Sequence, residues 1–207
     1  AHCVEEASAR HVIIDADLGD AWTTATSHLN APVTAWRTKG EAAGFSDLDA
    51  CLDVQSEQRP ERRLRAGVQG HDLVLYIFTS GTTGLPKAAR ISHLRVLLTM
   101  HSFAAATGAG PRDVIYAPLP LYHTVGGLCA PGIVLTTGGA IALRRRFSAS
   151  GFWPDCHRHG ATMVQYIGEL CRYLVNAPHH PDERRHRLRI AVGNGLRPDV
   201  WDRFQTR

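Results

Sequence analysis

In the stretch YIFTSGTTGLPKAARISH, residues 76–93, the nine positions from 79 to 87 hold four hydroxyl side chains, two glycines and one lysine. The run before them, LVLYIF at residues 73–78, is continuously apolar and predicts a strand buried on both faces. Gly81 and Gly84 allow a positive φ and let the backbone approach a ligand closely. A loop that exposes backbone N–H groups at the end of such a strand is suited to wrap an anion.

The side chains of this loop suit a polyphosphate together with a metal ion. Hydroxyl groups can donate to phosphate oxygens or turn a lone pair toward a cation, and Lys87 adds a positive charge. The spacing differs from that of P-loop NTPases, in which the lysine directly follows the last glycine and precedes Ser or Thr. Here Leu85 and Pro86 intervene and Ala88 follows, so an ordinary P-loop NTPase is disfavoured. The four hydroxyl residues are Thr79, Ser80, Thr82 and Thr83.

The composition indicates a globular protein of a reducing compartment. The 207 residues are 44% hydrophobic, which is enough for a buried core. The net charge of +4 suits a phosphate-bearing ligand and does not indicate a nucleic-acid partner. Five cysteines without C-x-x-C spacing favour the cytoplasm over a disulfide framework or a zinc site. No apolar run reaches the ~18 to 20 residues of a membrane span.

Apolar runs that end in glycine or polar residues predict several further strands. Between them, Ser92 can cap a helix in which Leu94, Leu97 and Leu98 recur at helical spacing. Strands that alternate with helices predict an α/β fold of mostly parallel sheets with flanking helices, in which ligands bind at the carboxyl ends of the strands. The further predicted strands are HVIIDADL (11–18), DVIYAPLP (113–120), AIALRR (140–145), ATMVQYI (161–167) and LRIAVGNG (188–195).

Three other segments carry weaker signals. Residues 32–72 are polar and broken by glycine and proline, so they are predicted to form an irregular surface connection with a short helix near residues 47–52. Two arginine-rich clusters, residues 144–146 and 183–187, are predicted to be solvated faces, with contact to anionic lipid as an alternative. Ala1 is not an initiator methionine and no signal peptide follows, so the chain is expected to begin within a longer protein.

Several motifs resemble one enzyme superfamily. YIFTSGTTGLPKAA (76–89) is similar to the phosphate-binding signature of the adenylate-forming superfamily, which includes acyl-CoA synthetases, luciferases and nonribosomal-peptide adenylation domains. PLPLYHTVGG (118–127) resembles the next motif of that superfamily, in the expected order. The resemblance spans the chain and is weakest from 32 to 72. Similarity to the branch of fatty acid transport proteins and very-long-chain acyl-CoA synthetases rests on FSASGFWPDC (147–156), VQYIGELCRYL (164–174) and GNGLRPDVW (193–201).

The resemblance implies a partial AMP-binding (adenylation) domain at residues 1–207, part of the large N-terminal domain of an adenylate-forming enzyme. Such enzymes join a carboxylate to ATP with Mg²⁺, release pyrophosphate, and pass the acyl-adenylate to the thiol of coenzyme A. The attacking oxygen belongs to the substrate, so the enzyme supplies alignment and charge stabilisation. The implied function is that of a long-chain or very-long-chain fatty acid–CoA ligase, with fatty acid, ATP and coenzyme A as partners.

The resemblance also assigns residues to the nucleotide. Lys87 is implied to act on the phosphates as a catalytic residue, and the Thr79 hydroxyl is implied to lie near Mg²⁺. Gly193, Asn194 and Gly195 resemble the turn that lies against adenine and the acyl tunnel, with a plain strand-ending turn as the alternative. The nucleotide-binding residues implied in the loop are Tyr76, Thr79, Ser80, Gly81, Thr82, Thr83, Gly84 and Lys87.

A second group is implied to bind the acyl substrate. His123 matches the aromatic or histidine position that borders the acyl carboxylate, and it is the second residue implied to be catalytic. Gly126 and Gly127 follow it and would leave room for the acyl chain. Tyr166 falls among apolar positions, where it is either a core residue or part of the acyl channel.

Other parts of the family have no counterpart in these 207 residues: a metal-binding glutamate, an aspartate for the ribose, and the C-terminal lid domain with its lysine. Residues 1–207 alone are therefore expected to be inactive. Two alternatives stand beside the ligase, namely a non-catalytic fatty-acid-binding or uptake protein of the same fold and an adenylation domain for another carboxylate. The intact loop from Thr79 to Lys87 favours the ligase. The expected location is the cytoplasm, with peripheral membrane association as an alternative.

Overall fold

The computed structural model describes residues 1–79 and 84–207, which form two compact units, Ala1–Arg90 and Ile91–Arg207. None of the helices in the described residues is long and apolar enough to cross a membrane. The elements up to the unit boundary, which falls inside β5, are α1 (His2–Glu6), β1 (His11–Asp15), α2 (Gly19–Thr26), β2 (Thr34–Thr38), β3 (Ser46–Asp47), α3 (Leu48–Asp53), β4 (Leu73–Thr79) and β5 (Lys87–Ser92). Those of the second unit are α4 (His93–Thr107), β6 (Val114–Ala117), α5 (Ala130–Thr137), β7 (Ala140–Leu143), α6 (Ala149–Arg158), β8 (Met163–Ile167), α7 (Gly168–Asn176), β9 (Ile190–Asn194) and α8 (Pro198–Thr206).

The first unit contains a parallel sheet in the order β1-β2-β3. Its first strand is the β-branched run HVIID, which ends at Asp15. The Asp15 carboxylate accepts the N–H of Asp17 (3.4 Å) and starts a short 3₁₀ helix, Ala16–Leu18. The strand predicted over residues 11–18 is therefore confirmed only as far as Asp15, because an aspartate side chain that bonds the backbone beyond it favours a turn.

Two strands lie in the segment that the sequence predicts to be irregular. Strand β2 pairs with β1 in parallel, with His11 opposite Thr34, and β3 adds to the other edge of β2. The prediction was wrong for these strands, because TAWRT is ordered by its neighbours, including an Arg37–Asp47 ion pair of 2.7 Å. The predicted short helix is confirmed as α3, which Asp47 caps by accepting the N–H of Ala50 (3.0 Å).

Strands β4 and β5 form a two-stranded sheet. β4 confirms the strand predicted at residues 73–78, and Ile77 is buried within it. Leu73 and Val74 are 38% and 42% exposed, so the prediction of burial on both faces was wrong. The chain also returns as β5 before α4 begins, and the predicted strand–loop–helix unit therefore contains an additional strand.

Helix α4 begins at the predicted cap. The Ser92 hydroxyl accepts the N–H of Arg95 (3.3 Å). The helix ends at Gly108, which has a left-handed φ of 57° that favours glycine. Helical spacing identified this helix, but the leucines that carried the pattern are half exposed. Their exposed fractions are 52% for Leu94, 50% for Leu97 and 58% for Leu98.

The second unit is built on a parallel sheet in the order β7-β6-β8-β9. Alternate residues of β6 enter different apolar clusters, with Ile115 and Ala117 in one and Tyr116 in the other. Helix α5 contributes Ala130 and Ile133 to the first cluster, and α6 and α7 contribute to the second. This arrangement confirms the predicted α/β fold with mostly parallel sheets and flanking helices.

Asp113 ties together the amino ends of β6, β8 and β9. Its carboxylate accepts hydrogen bonds from Arg189 Nη2 (2.6 Å), the Thr162 hydroxyl (2.7 Å) and the N–H of Gly110 (2.9 Å). The hydrogen bond from Arg189 contributes most to lowering the pKa of Asp113 to about 2. These hydrogen bonds lie at the amino ends of the strands. The loops at the carboxyl ends, where ligands bind in parallel α/β sheets, take no part in them.

Candidate functional site

The two ends of the phosphate-loop motif lie on β4 and β5. Thr79 is the last residue of β4, Lys87 is the first residue of β5, and both are exposed. The Thr79 hydroxyl donates to the Lys87 carbonyl, with 3.4 Å between the oxygens. Its proton is therefore used within the protein, and its lone pairs remain available to a cation. Tyr76, which is implied to bind the nucleotide, is half-buried within β4.

Gly84 carries the positive φ predicted for it, at 147°. Apart from its chain neighbours, no atom of the described residues lies within 4 Å of the point where a Cβ on Gly84 would stand. The predicted phosphate-binding residues between Thr79 and Gly84 lie outside the described residues, and their roles stay predictions. These residues are Ser80, Gly81, Thr82 and Thr83.

Sequence reasoning missed His2, which contacts the same motif. Its Nε2 lies 2.8 Å from the carbonyl oxygen of Pro86, the residue before Lys87. The two residues are 84 positions apart, and no local pattern indicates such a contact.

The fit of Mg²⁺ to the described residues rests on Thr79. A hydroxyl oxygen is a hard ligand of the kind Mg²⁺ accepts, usually together with phosphate oxygens of a bound nucleotide. Within residues 1–79 and 84–207, no group of three or more His, Cys, Asp or Glu side chains is arranged to hold a metal ion. Thr79 would therefore hold Mg²⁺ jointly with the nucleotide.

A cavity of about 360 Å³ lies at the carboxyl ends of β6, β8 and β9 in the second unit. His123 and Asn194, which the sequence indicates from two separate motifs, both line it. Apolar walls with a few polar groups are typical of a site for a largely apolar ligand with a polar end. The remaining lining residues are Leu119, Pro120, Thr124, Val125 and Ile167.

The backbone on both sides of His123 fixes its position. Its N–H donates to the Pro120 carbonyl (3.2 Å) and its own carbonyl accepts the N–H of Gly127 (2.7 Å). The ring lies 4.6 Å from that of Tyr122, measured between centroids. A π-helix, Val125–Cys129, follows, and such segments often mark functional sites. The exposed imidazole is thereby held at the rim of the cavity.

Gly126 and Gly127 are required by close backbone packing. A Cβ on Gly126 would stand 2.3 Å from the Pro120 carbonyl oxygen, and one on Gly127 would stand 2.0 Å from that of Leu121. Backbone atoms cannot yield to such contacts as a flexible side chain can. The glycines thus allow the π-helix to pack on the preceding turn, and their implied contact with an acyl chain stays a prediction.

Gly193 and Gly195 also serve close packing. Gly193 pairs with Tyr166 across β8 and β9, and a Cβ on it would stand 2.0 Å from the Tyr166 carbonyl oxygen. Gly195 has a φ of 70°, and its carbonyl oxygen is 1.8 Å from where Gly168 would carry a Cβ. Tyr166 is 9% exposed within an apolar cluster, and burial raises the pKa of its phenol. Its core role is established, while its contact with an acyl chain stays a prediction.

A second cavity of about 370 Å³ in this unit contains none of the predicted site residues. Its walls include Trp153 and Phe204. Its buried carboxylate, Glu183, is already bonded to Arg207 and His179. Because that carboxylate has protein partners, the cavity is a weaker candidate than the one beside His123.

The family model described as AMP-binding enzyme matches residues 1–207. The chain belongs to the AMP-binding enzyme family. It is similar to long-chain fatty acid transport protein 3 of Homo sapiens, with 43% identity over 209 residues that cover 100% of this chain and 30% of that protein. The chain spans about 30% of the length of the curated relatives it matches. The superfamily and branch that the motifs resemble are therefore confirmed.

Solved structures of adenylate-forming enzymes share the fold. The anthranilate CoA ligase AuaEII in complex with anthranoyl-AMP has a TM-score of 0.84 at 17% identity, covering 99% of this chain and 40% of that one. ATP-bound MatB from Rhodopseudomonas palustris has a TM-score of 0.78 at 22% identity, covering 100% and 39%. At these identities the likeness concerns the fold alone, and it confirms the predicted fold class.

Five of the predicted site residues fall into two groups. Thr79, Gly84 and Lys87 lie in the first unit, on or beside β4 and β5. His123 and Asn194 meet at one cavity of the second unit. Two residues predicted from separate motifs thus line the same cavity, and their roles stay predictions.

Proposed function

We propose that this chain supplies the phosphate and acyl-carboxylate contacts of an ATP-dependent long-chain or very-long-chain fatty acid–CoA ligase. The observation that carries the proposal is the pairing of Thr79 with Lys87 at the adjoining ends of β4 and β5, beside Gly84 with its φ of 147°. These groups bracket the motif that the family uses for phosphate. Similarity to proteins named long-chain fatty acid transport proteins supports a long acyl chain.

In the proposed first step a carboxylate oxygen of the fatty acid attacks the α-phosphorus of ATP, and pyrophosphate leaves. Lys87 offsets the negative charge that passes to the departing phosphates. Thr79 keeps its oxygen lone pairs available because its proton is donated to the Lys87 carbonyl. Mg²⁺, when bound with the nucleotide, would supply further charge neutralisation.

On the acyl side, His123 would border the carboxylate. The cavity beside it has apolar walls that would exclude water from the reacting centre and accept the first part of the acyl chain. In the second step the thiol of coenzyme A attacks the acyl carbonyl and AMP leaves. Asn194 lies on the same cavity and offers both a donor and an acceptor toward the adenylate.

A second candidate is a fatty-acid-binding or uptake protein that keeps the fold without turnover. The names of the relatives favour it, since they are called transport proteins. The two candidates differ in their dependence on ATP chemistry, because only the ligase requires Lys87. An adenylation domain for an amino acid is less well supported by these relatives.

We also propose a cytoplasmic location with peripheral binding to anionic membranes. Arg144 forms an ion pair with Asp155 (2.5 Å), whereas Arg145 and Arg146 are exposed. The negative charge of Glu169 is offset by its own ion pair with Arg172 (3.4 Å). Exposed basic and aromatic groups together favour an anionic bilayer surface. The free thiols of all five cysteines support a reducing compartment. The proposed membrane surface consists of Leu143, Arg145, Arg146, Phe147 and Tyr173.

The membrane proposal is tested by sedimentation with vesicles of neutral and of partly anionic lipid. Replacement of Arg145 and Arg146 by glutamine should weaken binding to anionic vesicles about 10-fold or more, at about 1 kcal/mol for each charge. Replacement of Arg62 and Arg63, an exposed pair of the first unit that is not part of the proposed surface, should leave binding unchanged. Equal binding to both kinds of vesicle would refute the proposed surface.

The ligase proposal is tested by ATP–pyrophosphate exchange, measured on the longest natural polypeptide that contains residues 1–207. Nucleotide binding is measured separately on residues 1–207. Exchange with palmitate should exceed exchange with any free amino acid. Lys87→Ala should lose a contact of about 1.5 to 3 kcal/mol and slow exchange accordingly. Arg90→Ala, which removes a charge from the same strand, should retain the rate.

Each contrary result has a distinct meaning. Exchange with an amino acid at or above the palmitate rate would assign the protein to the peptide-synthesis class. Fatty-acid binding without any exchange would favour the uptake candidate. An unchanged rate in Lys87→Ala would show that the lysine does not act on the phosphates.

A further inference from the structure

His2 makes a hydrogen bond whose direction the chemistry fixes. Its Nε2 lies 2.8 Å from the Pro86 carbonyl oxygen, and a carbonyl oxygen can only accept. Nε2 must therefore carry the proton and donate it. Both residues belong to the first unit, and Pro86 directly precedes Lys87.

The two consecutive carbonyls at this point each accept a side-chain hydrogen bond. Pro86 accepts from His2 (2.8 Å), and Lys87 accepts from the Thr79 hydroxyl (3.4 Å). Pro86 also has a fixed φ and no N–H of its own. The backbone that leads into Lys87 is thus held by one bond from β4 and one from α1.

Helix α1 has its own anchor, so the bond from His2 is made from a fixed position. Glu5 accepts hydrogen bonds at one carboxylate oxygen from both the backbone N–H (3.0 Å) and the side-chain amide (2.5 Å) of Asn30. Asn30 lies between α2 and β2. A continuous series of contacts therefore runs from the α2–β2 connection through α1 to the residue before Lys87.

We propose that His2 is a positioning residue for Lys87. By holding the Pro86 carbonyl, it restricts the backbone from which the lysine extends. This lowers the conformational entropy that is lost when the lysine binds a phosphate. The proposal rests on the proposed function, since it takes Lys87 to be a phosphate contact. In this role His2 acts through the Pro86 carbonyl and not by contact with the nucleotide.

The test compares His2→Leu with His2→Gln in the 207-residue chain, using ATP titration by calorimetry and thermal unfolding. Loss of one neutral hydrogen bond should weaken ATP binding about 2- to 10-fold in His2→Leu. His2→Gln keeps an N–H donor at similar reach and should recover much of the affinity. His71→Leu, at an exposed histidine before β4 and outside this series of contacts, serves as the matched control and should bind as the wild type does.

A second measurement separates positioning from general stability. Lys87→Ala should cost less affinity in the His2→Leu background than in the wild type, because an unpositioned lysine contributes less. Independent, additive effects would refute the proposal, as would wild-type ATP affinity in His2→Leu. If His2→Leu does not fold, His2→Asn, whose shorter side chain does not reach Pro86, replaces it in the same comparison.

The control outcomes distinguish this inference from the proposed function. If the wild-type chain does not bind ATP at all, the phosphate assignment fails and the positioning role fails with it. If the wild type binds ATP through Lys87 and His2→Leu binds equally well, only the positioning role is refuted.

Discussion

Asp113→Asn tests the tie at the amino ends of β6, β8 and β9. The Asp113 side chain is 14% exposed and faces Arg189 at 2.6 Å, and its pKa is lowered from 3.8 to about 2. At about 1.4 kcal/mol per pKa unit, this difference corresponds to about 2 kcal/mol of stability from the ionised group. Asparagine removes the charge and presents an N–H group to donors, so we expect the melting temperature to fall by about 4 to 8 °C.

The pH dependence of this difference provides the decisive check. A lowered pKa means that the fold favours the ionised carboxylate, so its contribution is present above pH 3.8 and is lost as the pH falls through about 2. Thermal unfolding followed by circular dichroism should show the full difference between wild type and Asp113→Asn at neutral pH, and a shrinking one below about pH 4. Asp202→Asn, at an exposed aspartate of α8, is the control. Equal melting temperatures at neutral pH, or a difference that persists unchanged in acid, would refute the reasoning.

Three further predictions concern the site and the core. His123→Ala should lower kcat/KM for the fatty acid by about 10-fold or more while ATP affinity, measured by titration, stays near wild type; a pure loss of ATP affinity would contradict the placement. Gly127→Ala should cost about 1 to 3 kcal/mol in thermal unfolding, because its Cβ would stand 2.0 Å from the Leu121 carbonyl oxygen, and an unchanged melting temperature would count against that packing. A thiol reagent at neutral pH should label two cysteines in the folded chain and five after denaturation, with early labelling of a third as the contrary result. Burial raises the pKa of the three protected thiols to about 11 for Cys129, 12 for Cys156 and 11 for Cys171.

The sequence could predict the elements whose signals are local. The parallel strands of the second unit are apolar runs closed by glycine or polar residues, and Ser92 is a cap that a single side chain provides. His123 and Asn194 could be singled out because each belongs to a short motif, and the parallel sheet brings both to one cavity at the carboxyl ends of its strands; their roles stay predictions.

The features that the sequence did not predict depend on distant partners. Strand β2, TAWRT, has no clear alternation of polar and apolar residues and is ordered by pairing with β1 and by the Arg37–Asp47 ion pair. The close packing of Gly126 and Gly127 on the carbonyls of the preceding turn was not predicted either, since it depends on how the chain folds back on residues 119–121. The contact of His2 with Pro86 joins residues 84 positions apart, which no periodicity or motif reports.

The strand order β7-β6-β8-β9 has a consequence for synthesis on the ribosome. Strand β6 emerges first, β7 then adds to one of its edges, β8 adds to the other, and β9 adds to β8. Each strand therefore joins at an edge that is still free, and no pair of strands has to separate to admit a later one. The sheet of the second unit can thus grow in the order in which its residues are translated. Once β6 has paired with β7, each later strand finds a free edge that has already been made, which shortens the time it spends unpaired and prone to aggregation.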